Sequence, residues 1–273
     1  MKNYNINKIL VPVDFSETSL NALHTAIEMA RRHNAQVKLL NVLEQGEDSN
    51  QLQMDHERQM DDLVNKIKTQ DDLVCTYIIE KGQVAETIAN IATDFNADLI
   101  VVGTHGATGY NEASIGSNTA KLIENAGCPM LTVPPLKKWL SFKEVLFPIR
   151  PTSEAVEKYD YIENIIRKNE SILKILGLSN DYEGNISLLR KLAAQLVDRV
   201  SLDKVKTSSY FKIGKNMAGE VLKISSLLKT DLIVVTSSID ARFQQLFTSS
   251  YTRQIMNRAK VPVLCLRSST SLN

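Results

Sequence analysis

Three apolar segments of the chain return later at a nearly constant distance, and that recurrence limits the fold more than any other feature. Lys8-Ile9-Leu10-Val11-Pro12-Val13-Asp14 is answered by Glu144-Val145-Leu146-Phe147-Pro148-Ile149-Arg150. Asp98-Leu99-Ile100-Val101-Val102 is answered by Asp231-Leu232-Ile233-Val234-Val235, and Cys128-Pro129-Met130-Leu131-Thr132-Val133 by Val261-Pro262-Val263-Leu264-Cys265-Leu266. The offset, about 133 to 136 residues, is too long for a solenoid unit. It reads as one domain copied in tandem, over 1–136 and 141–273. Pro134-Pro135-Leu136-Lys137-Lys138 is the short, stiff join.

Within the first half, strands alternate with helices. Strand 8–13 leads to a helix over Thr18–His33 whose Leu20, Leu23, Ile27 and Ala30 share one face. Ser16 or Thr18 suits its N-cap. Then come strand Gln36–Leu43, a polar amphipathic stretch over Asn50–Thr69 and a strand near Val74–Ile79. A helix over Gln83–Phe95, strand 98–102, a helix over Ser117–Asn125 and strand Met130–Val133 complete the half. Short strands between helices predict an open, doubly wound α/β domain with a five-stranded parallel sheet flanked by helices, made twice. Ligands on such sheets bind beyond the carboxyl ends of the strands, where the strand order reverses. Asp14 and Gly103 both fall at such ends and are expected to share one crevice.

The loop after strand 98–102 carries the chemistry. Gly103-x2-Gly106-x9-Gly116-Ser117 joins a buried strand to a helix N-terminus. Glycines let backbone approach an anion, free N–H groups donate to it, and the helix dipole favours its charge. The loop is not a Walker A sequence, since no Gly-Lys-Ser/Thr follows, and it lacks the GxGxxG form of a dinucleotide site. Plainer readings stand beside this one. The glycines also suit turns, and Asp14 suits a helix cap. His105 reads as a loop wall rather than a general base, because no carboxylate neighbour is evident to orient it. His24, His33 and His56 read as solvated helix positions, and Trp139 as packing at the domain join.

Composition excludes several classes. A net charge of +1 gives no reason to expect nucleic acid or an anionic membrane as partner. No apolar run approaches the roughly 20 residues of a membrane span. The start of the chain is polar and shows no signal-peptide pattern, so a cytoplasmic location is expected. Three unclustered cysteines, Cys75, Cys128 and Cys265, argue against a disulfide framework or a Cys-rich zinc site and read as buried hydrophobes.

On the Gly-x2-Gly-x9-Gly-Ser pattern and on Pro12-Val13-Asp14, the chain resembles the universal stress proteins, and its two copies resemble their tandem members. The resemblance covers residues 6–134 strongly and 143–267 more weakly. It implies the adenine nucleotide alpha hydrolase-like fold and an ATP-binding stress-response regulator with little or no hydrolysis. It implies that Pro12, Val13 and Asp14 lie against the nucleoside and that the Val42 backbone meets adenine. Gly103, His105 and Gly106 would border ribose and phosphates, and Gly116, Ser117, Asn118 and Thr119 the phosphate oxygens. The cofactor implied is ATP, or AMP or ADP, with Mg²⁺ bridging phosphates and few protein ligands. It also implies that the last strands of the two halves pair, as an intramolecular pseudo-dimer, with homodimerisation and a protein partner left open.

The second half departs from the pattern. Thr236, Ile239 and Ser249 stand opposite Gly103, Gly106 and Gly116, and Arg150 stands opposite Asp14. A Cβ at those positions would crowd a phosphate, so the second domain is expected not to bind ATP in this way. Three functions therefore compete. The first is the ATP-binding regulator. The second is a slow ATPase or nucleotidyl-transfer enzyme, against which stands the lack of any evident base, arginine finger or P-loop lysine. The third is a nucleotide-independent interaction protein that docks through the acidic stretch 47–70.

Overall fold

A computed structural model describes residues 4–44, 50–104, 116–135, 138–151, 156–179, 185–237 and 250–267. The chain divides into two compact units. The first is Ile6–Leu140; the second begins at Ser141 and is joined by Tyr4 and Asn5. Those two residues are held by Asn164, whose Nδ2 donates to Tyr4 O and to Asn5 Oδ1.

The first unit runs β1 (Lys8–Pro12), α1 (Glu17–His33), β2 (Gln36–Leu43), α2 (Asn50–Asp71), β3 (Cys75–Lys81), α3 (Val84–Asp94), β4 (Leu99–Gly103), α4 (Ser117–Asn125) and β5 (Met130–Val133). Its strands lie in the order β3-β2-β1-β4-β5 and are parallel throughout. Packing of α1 with α2 and of α3 with α4 puts helices on both faces. That is why Ile9, Leu10, Val11, Leu39, Leu40, Leu99, Ile100 and Val101 are all buried, without the alternation of a half-exposed strand. The unit is thus the doubly wound α/β sheet expected.

The second unit repeats the plan with β6 (Glu144–Ile149), α5 (Glu163–Asn169), β7 (Ile172–Ser179), α6 (Asn185–Ser201), β8 (Thr207–Ile213), α7 (Met217–Leu227), β9 (Leu232–Ser237), α8 (Ser250–Arg258) and β10 (Val263–Arg267). Its strand order is β8-β7-β6-β9-β10, again parallel. A 3-10 turn over Glu157–Tyr161 precedes α5.

Two details repeat at residue level. Asp98, just before β4, accepts from the backbone N–H groups of Asn7 and Lys8 and so pins the start of β1. Asp231, just before β9, does the same for Lys143 and Glu144. Pro12 and Pro148 mark the same opening in each sheet. The β1–β2 ladder runs through Pro12, whereas β1 pairs with β4 only at Ile9 and Leu10. The β6–β9 ladder likewise covers only Val145 and Leu146. Proline has no N–H to give to a second neighbour, so the strands part there, at the point where strand order reverses.

Candidate functional site

In the first unit that parting opens into a cavity of about 420 Å³, within the size range of small-molecule sites. Pro12, Val13, Asp14, Val42, Gly103, Gly116, Ser117, Asn118 and Thr119 all line it. These are nine of the residues singled out from sequence, brought together from β1, β2, β4 and α4. The other two, His105 and Gly106, lie outside the described residues.

One wall is the N-terminus of α4. Gly116 is its N-cap, with φ −55° and ψ 145°, and no side chain caps the helix. No acidic residue stands in the first turn. The first N–H groups of any helix have no partner within it, and here they meet the cavity with the positive end of the helix dipole undamped. Thr119 Oγ1 donates to Gly103 O, tying helix to strand. The contrast with α1 is direct. Ser16 caps α1 by accepting from Ser19 N, and Glu17 sits in its first turn.

The two described glycines of the loop have different causes. A Cβ on Gly103 would lie 3.0 Å from Thr18 O and 3.1 Å from Thr18 C. Gly103 is therefore required by the close approach of α1 to β4, whatever occupies the cavity. The extended backbone at Gly116 is open to any residue, so its own conformation does not call for glycine.

Asp14 is exposed, just beyond β1. Its Oδ1 accepts from Ser16 N and Ser16 Oγ, a turn that supports the cap of α1 rather than being the cap itself. The carboxylate borders the cavity as well, so the capping and ligand-facing readings of Asp14 are compatible.

The far wall holds residues that sequence reasoning missed. Asn41 lies in β2, 2% exposed, and its Nδ2 donates to Val13 O at 2.8 Å. His56 of α2 meets Asn41 Oδ1 through Nδ1 at 2.9 Å, and both residues line the cavity with Ser19, Leu40 and Glu44. The reading of His56 as a solvated helix position is corrected here: α2 turns the face carrying Met60, Val64 and Ile67 inward, and His56 shares the cavity side. His33 is likewise buried in the last turn of α1. His24 is half-buried, and burial first, then Lys138, holds its pKa below the ordinary imidazole value.

Chemically, this wall-and-cradle arrangement accepts an anion at α4 and offers Asp14 and Glu44 to hydroxyl donors. Among the described lining residues no Lys or Arg stands ready to stabilise transferring phosphoryl charge. Among the described residues no group of three or more His, Cys, Asp or Glu side chains could hold a metal ion. No helix among them is long and apolar enough to cross a membrane.

In the second unit the equivalent positions carry different contacts. The Arg150 guanidinium lies 5.7 Å from the centre of the Tyr251 ring, which stands where α4 has Asn118. Gly177 takes the place of Asn41, and a Cβ there would lie 2.7 Å from Phe211 Cδ1.

Comparison with known proteins bears on the first half and on the fold. The model of the universal stress protein family matches residues 5–134. The chain is 31% identical over 132 residues to universal stress protein Sll1654 of Synechocystis, covering 46% of this chain and 84% of that one. It is 32% identical over 143 residues to universal stress protein MJ0531 of Methanocaldococcus jannaschii, covering 48% and 84%. The crystal structure of a universal stress protein from Archaeoglobus fulgidus superposes with a TM-score of 0.79 at 16% identity, covering 98% of this chain and 99% of that one. At that identity the likeness shows the fold.

Proposed function

The chain belongs to the universal stress protein family, a family of the stress response, and on that premise we propose that its first unit is an adenine-nucleotide receptor that binds without appreciable turnover. The observation that carries this is the single cavity that joins the uncapped N-terminus of α4 to Asp14, Val13 and Val42. The phosphates would lie at Gly116–Thr119, where backbone N–H groups donate to them. Asp14 would accept from ribose hydroxyls, and Val42 would lie beside the base. His105 and Gly106 belong to the same proposal.

Mg²⁺ fits as a companion of the phosphates. The described residues supply no three-ligand cluster for it, and this ion ordinarily keeps several waters and takes substrate oxygens. Bound there, it would offset phosphate charge. The lack of a lining Lys or Arg among described residues favours binding over phosphoryl transfer. The two domains acting as one pseudo-dimeric regulator, with the second serving structure or partners, is part of this reading.

The test is the ligand released from natively purified protein, identified by mass spectrometry. An adenine nucleotide is expected. If none is carried and neither ATP, ADP nor AMP binds at micromolar concentration, the reading falls.

A further inference from the structure

Asn41 and His56 form a hydrogen-bonded pair whose proton positions follow from geometry. Asn41 Nδ2 donates to Val13 O. A carbonyl oxygen cannot donate, so the amide nitrogen must face Val13 and Oδ1 must face His56. Oδ1 can only accept, so the hydrogen between Oδ1 and His56 Nδ1 sits on Nδ1. A neutral imidazole carries one N–H, which leaves Nε2 as a bare acceptor. Among the described residues nothing donates to it.

The ring is also fixed in direction. Phe15 meets His56 edge to face, with centroids 5.1 Å apart and planes at 66°. Phe15 itself has φ 60°, a left-handed conformation that is a genuine outlier for a bulky side chain. Strain of that kind is found where a site needs a group held in place. Asn41 and His56 line the cavity on the β2 and α2 side, whereas the α4 N-terminus forms its wall beyond β4. A ligand with its phosphate at α4 therefore extends its other end toward this pair.

We infer that His56 is a base-reading residue: its Nε2 accepts from an exocyclic amino group, so the site selects an amino-bearing base over one with a carbonyl there. This inference rests on the nucleotide reading above and deepens it. Adenine presents such an amine. Hypoxanthine presents a carbonyl oxygen at the same position, and two lone pairs would then face each other. To accept that base, the ring would have to give up Asn41 Oδ1 or take up a proton. Asn41 is the positioning residue that sets the tautomer.

The experiment compares equilibrium binding of ATP and ITP to the full chain and to His56→Phe, which keeps an aromatic ring beside Phe15 and removes both nitrogens. The wild type is expected to prefer ATP by at least about tenfold, one hydrogen bond's worth, and the ratio is expected to fall to near one in His56→Phe. Equal binding of ATP and ITP by the wild type overturns this inference and leaves the nucleotide reading standing. Binding of neither overturns both. A ratio kept by His56→Phe also overturns it. Nitrogen-15 NMR of the wild-type histidine rings is independent of whether that variant folds. His56 is expected as the Nδ1–H form, with an Nε2 shift on adding ATP that ITP does not produce; an Nε2–H form overturns the assignment.

Discussion

The two units share a sheet order, a proline at the opening and an aspartate that pins the first strand, yet they build their first crossover differently. In the first unit α1 is a helix of 17 residues that begins soon after β1, and its Thr18 backbone lies against Gly103. In the second, a 3-10 turn leads to a helix of only 7 residues, α5. That segment buries Tyr159, Ile162, Ile165 and Ile166, and an ion cluster adds to it: Arg199 of α6 reaches Glu163 at 2.7 Å and Asp160 at 3.4 Å, and Asp203 beyond α6 at 3.1 Å. The ends of the strands follow suit. The first unit keeps a polar-walled cavity there; the second places Phe211 against Gly177 and Arg150 over Tyr251. The same topology thus carries a cavity wall of Asn41 and Asp14 in one unit and, at the matching positions, a glycine under an aromatic ring and a guanidinium beside another in the other.

The largest expected effect breaks the charged side of this comparison. Arg199→Ala leaves Glu163 and Asp203, each little exposed, without their shared cation. The cluster is part-buried, Glu163 keeps Arg167 and Asp203 keeps the Tyr159 hydroxyl, so the cost is the low end for a buried pair, about 3 kcal/mol, read as a lower denaturant midpoint, with hydrogen exchange rising in the second unit and unchanged in the first. Equal exchange in both units would contradict the division.

Next comes the cradle. Gly116→Val places a branched side chain at the N-cap of α4, where the proposed phosphate lies. Charge-assisted hydrogen bonds of ~1.5–3 kcal/mol would be lost, or about 10–100-fold in nucleotide affinity by calorimetry. Arg150→Asp in the second unit is expected to add no second site.

A pair of glycine substitutions sharpens the packing contrast. Gly103→Ala and Gly177→Ala each overpack a buried position, at about 1–3 kcal/mol. Gly177 is hemmed in by the Phe211 side chain, so Phe211→Leu should rescue Gly177→Ala. Gly103 is hemmed in by Thr18 backbone, so Thr18→Ala should not rescue Gly103→Ala. Thermal midpoints of the four variants decide it.

The smallest effect is at high pH. Burial first, then Asp203 and Glu163, raises the Tyr159 phenol above its ordinary value of 10. The fold thus favours the neutral form. That contribution is complete below pH 10 and is lost as pH rises through the folded pKa. Tyr159→Phe should flatten this alkaline fall in stability, followed by far-UV signal against pH; an unchanged slope would contradict it.

Much of the first unit was legible because its signals are local. Gln36–Leu43, Ser117–Asn125 and Met130–Val133 are the observed bounds of β2, α4 and β5, each framed by apolar runs or a glycine. The crevice followed from topology, since Asp14 and Gly103 end strands that flank the reversal. What stayed hidden depends on rotation and distance. His56 reaches Asn41 only because α2 settles one particular face onto the sheet, and a weakly amphipathic helix does not declare that face in its sequence. The cause of Gly103 was hidden too, because the Thr18 carbonyl reaches it only in the folded packing. The ion cluster around Arg199 joins residues far apart in sequence, Asp160 and Glu163 to α6, and so leaves no local pattern to read.

The central claim is that one unit of the two is a nucleotide receptor, and stoichiometry tests it most directly. Native mass spectrometry of the full chain titrated with ATP and Mg²⁺ should show one nucleotide bound per chain, with its midpoint raised about 10–100-fold in Gly116→Val. Two nucleotides per chain, or one whose midpoint is unchanged in Gly116→Val, would contradict the account.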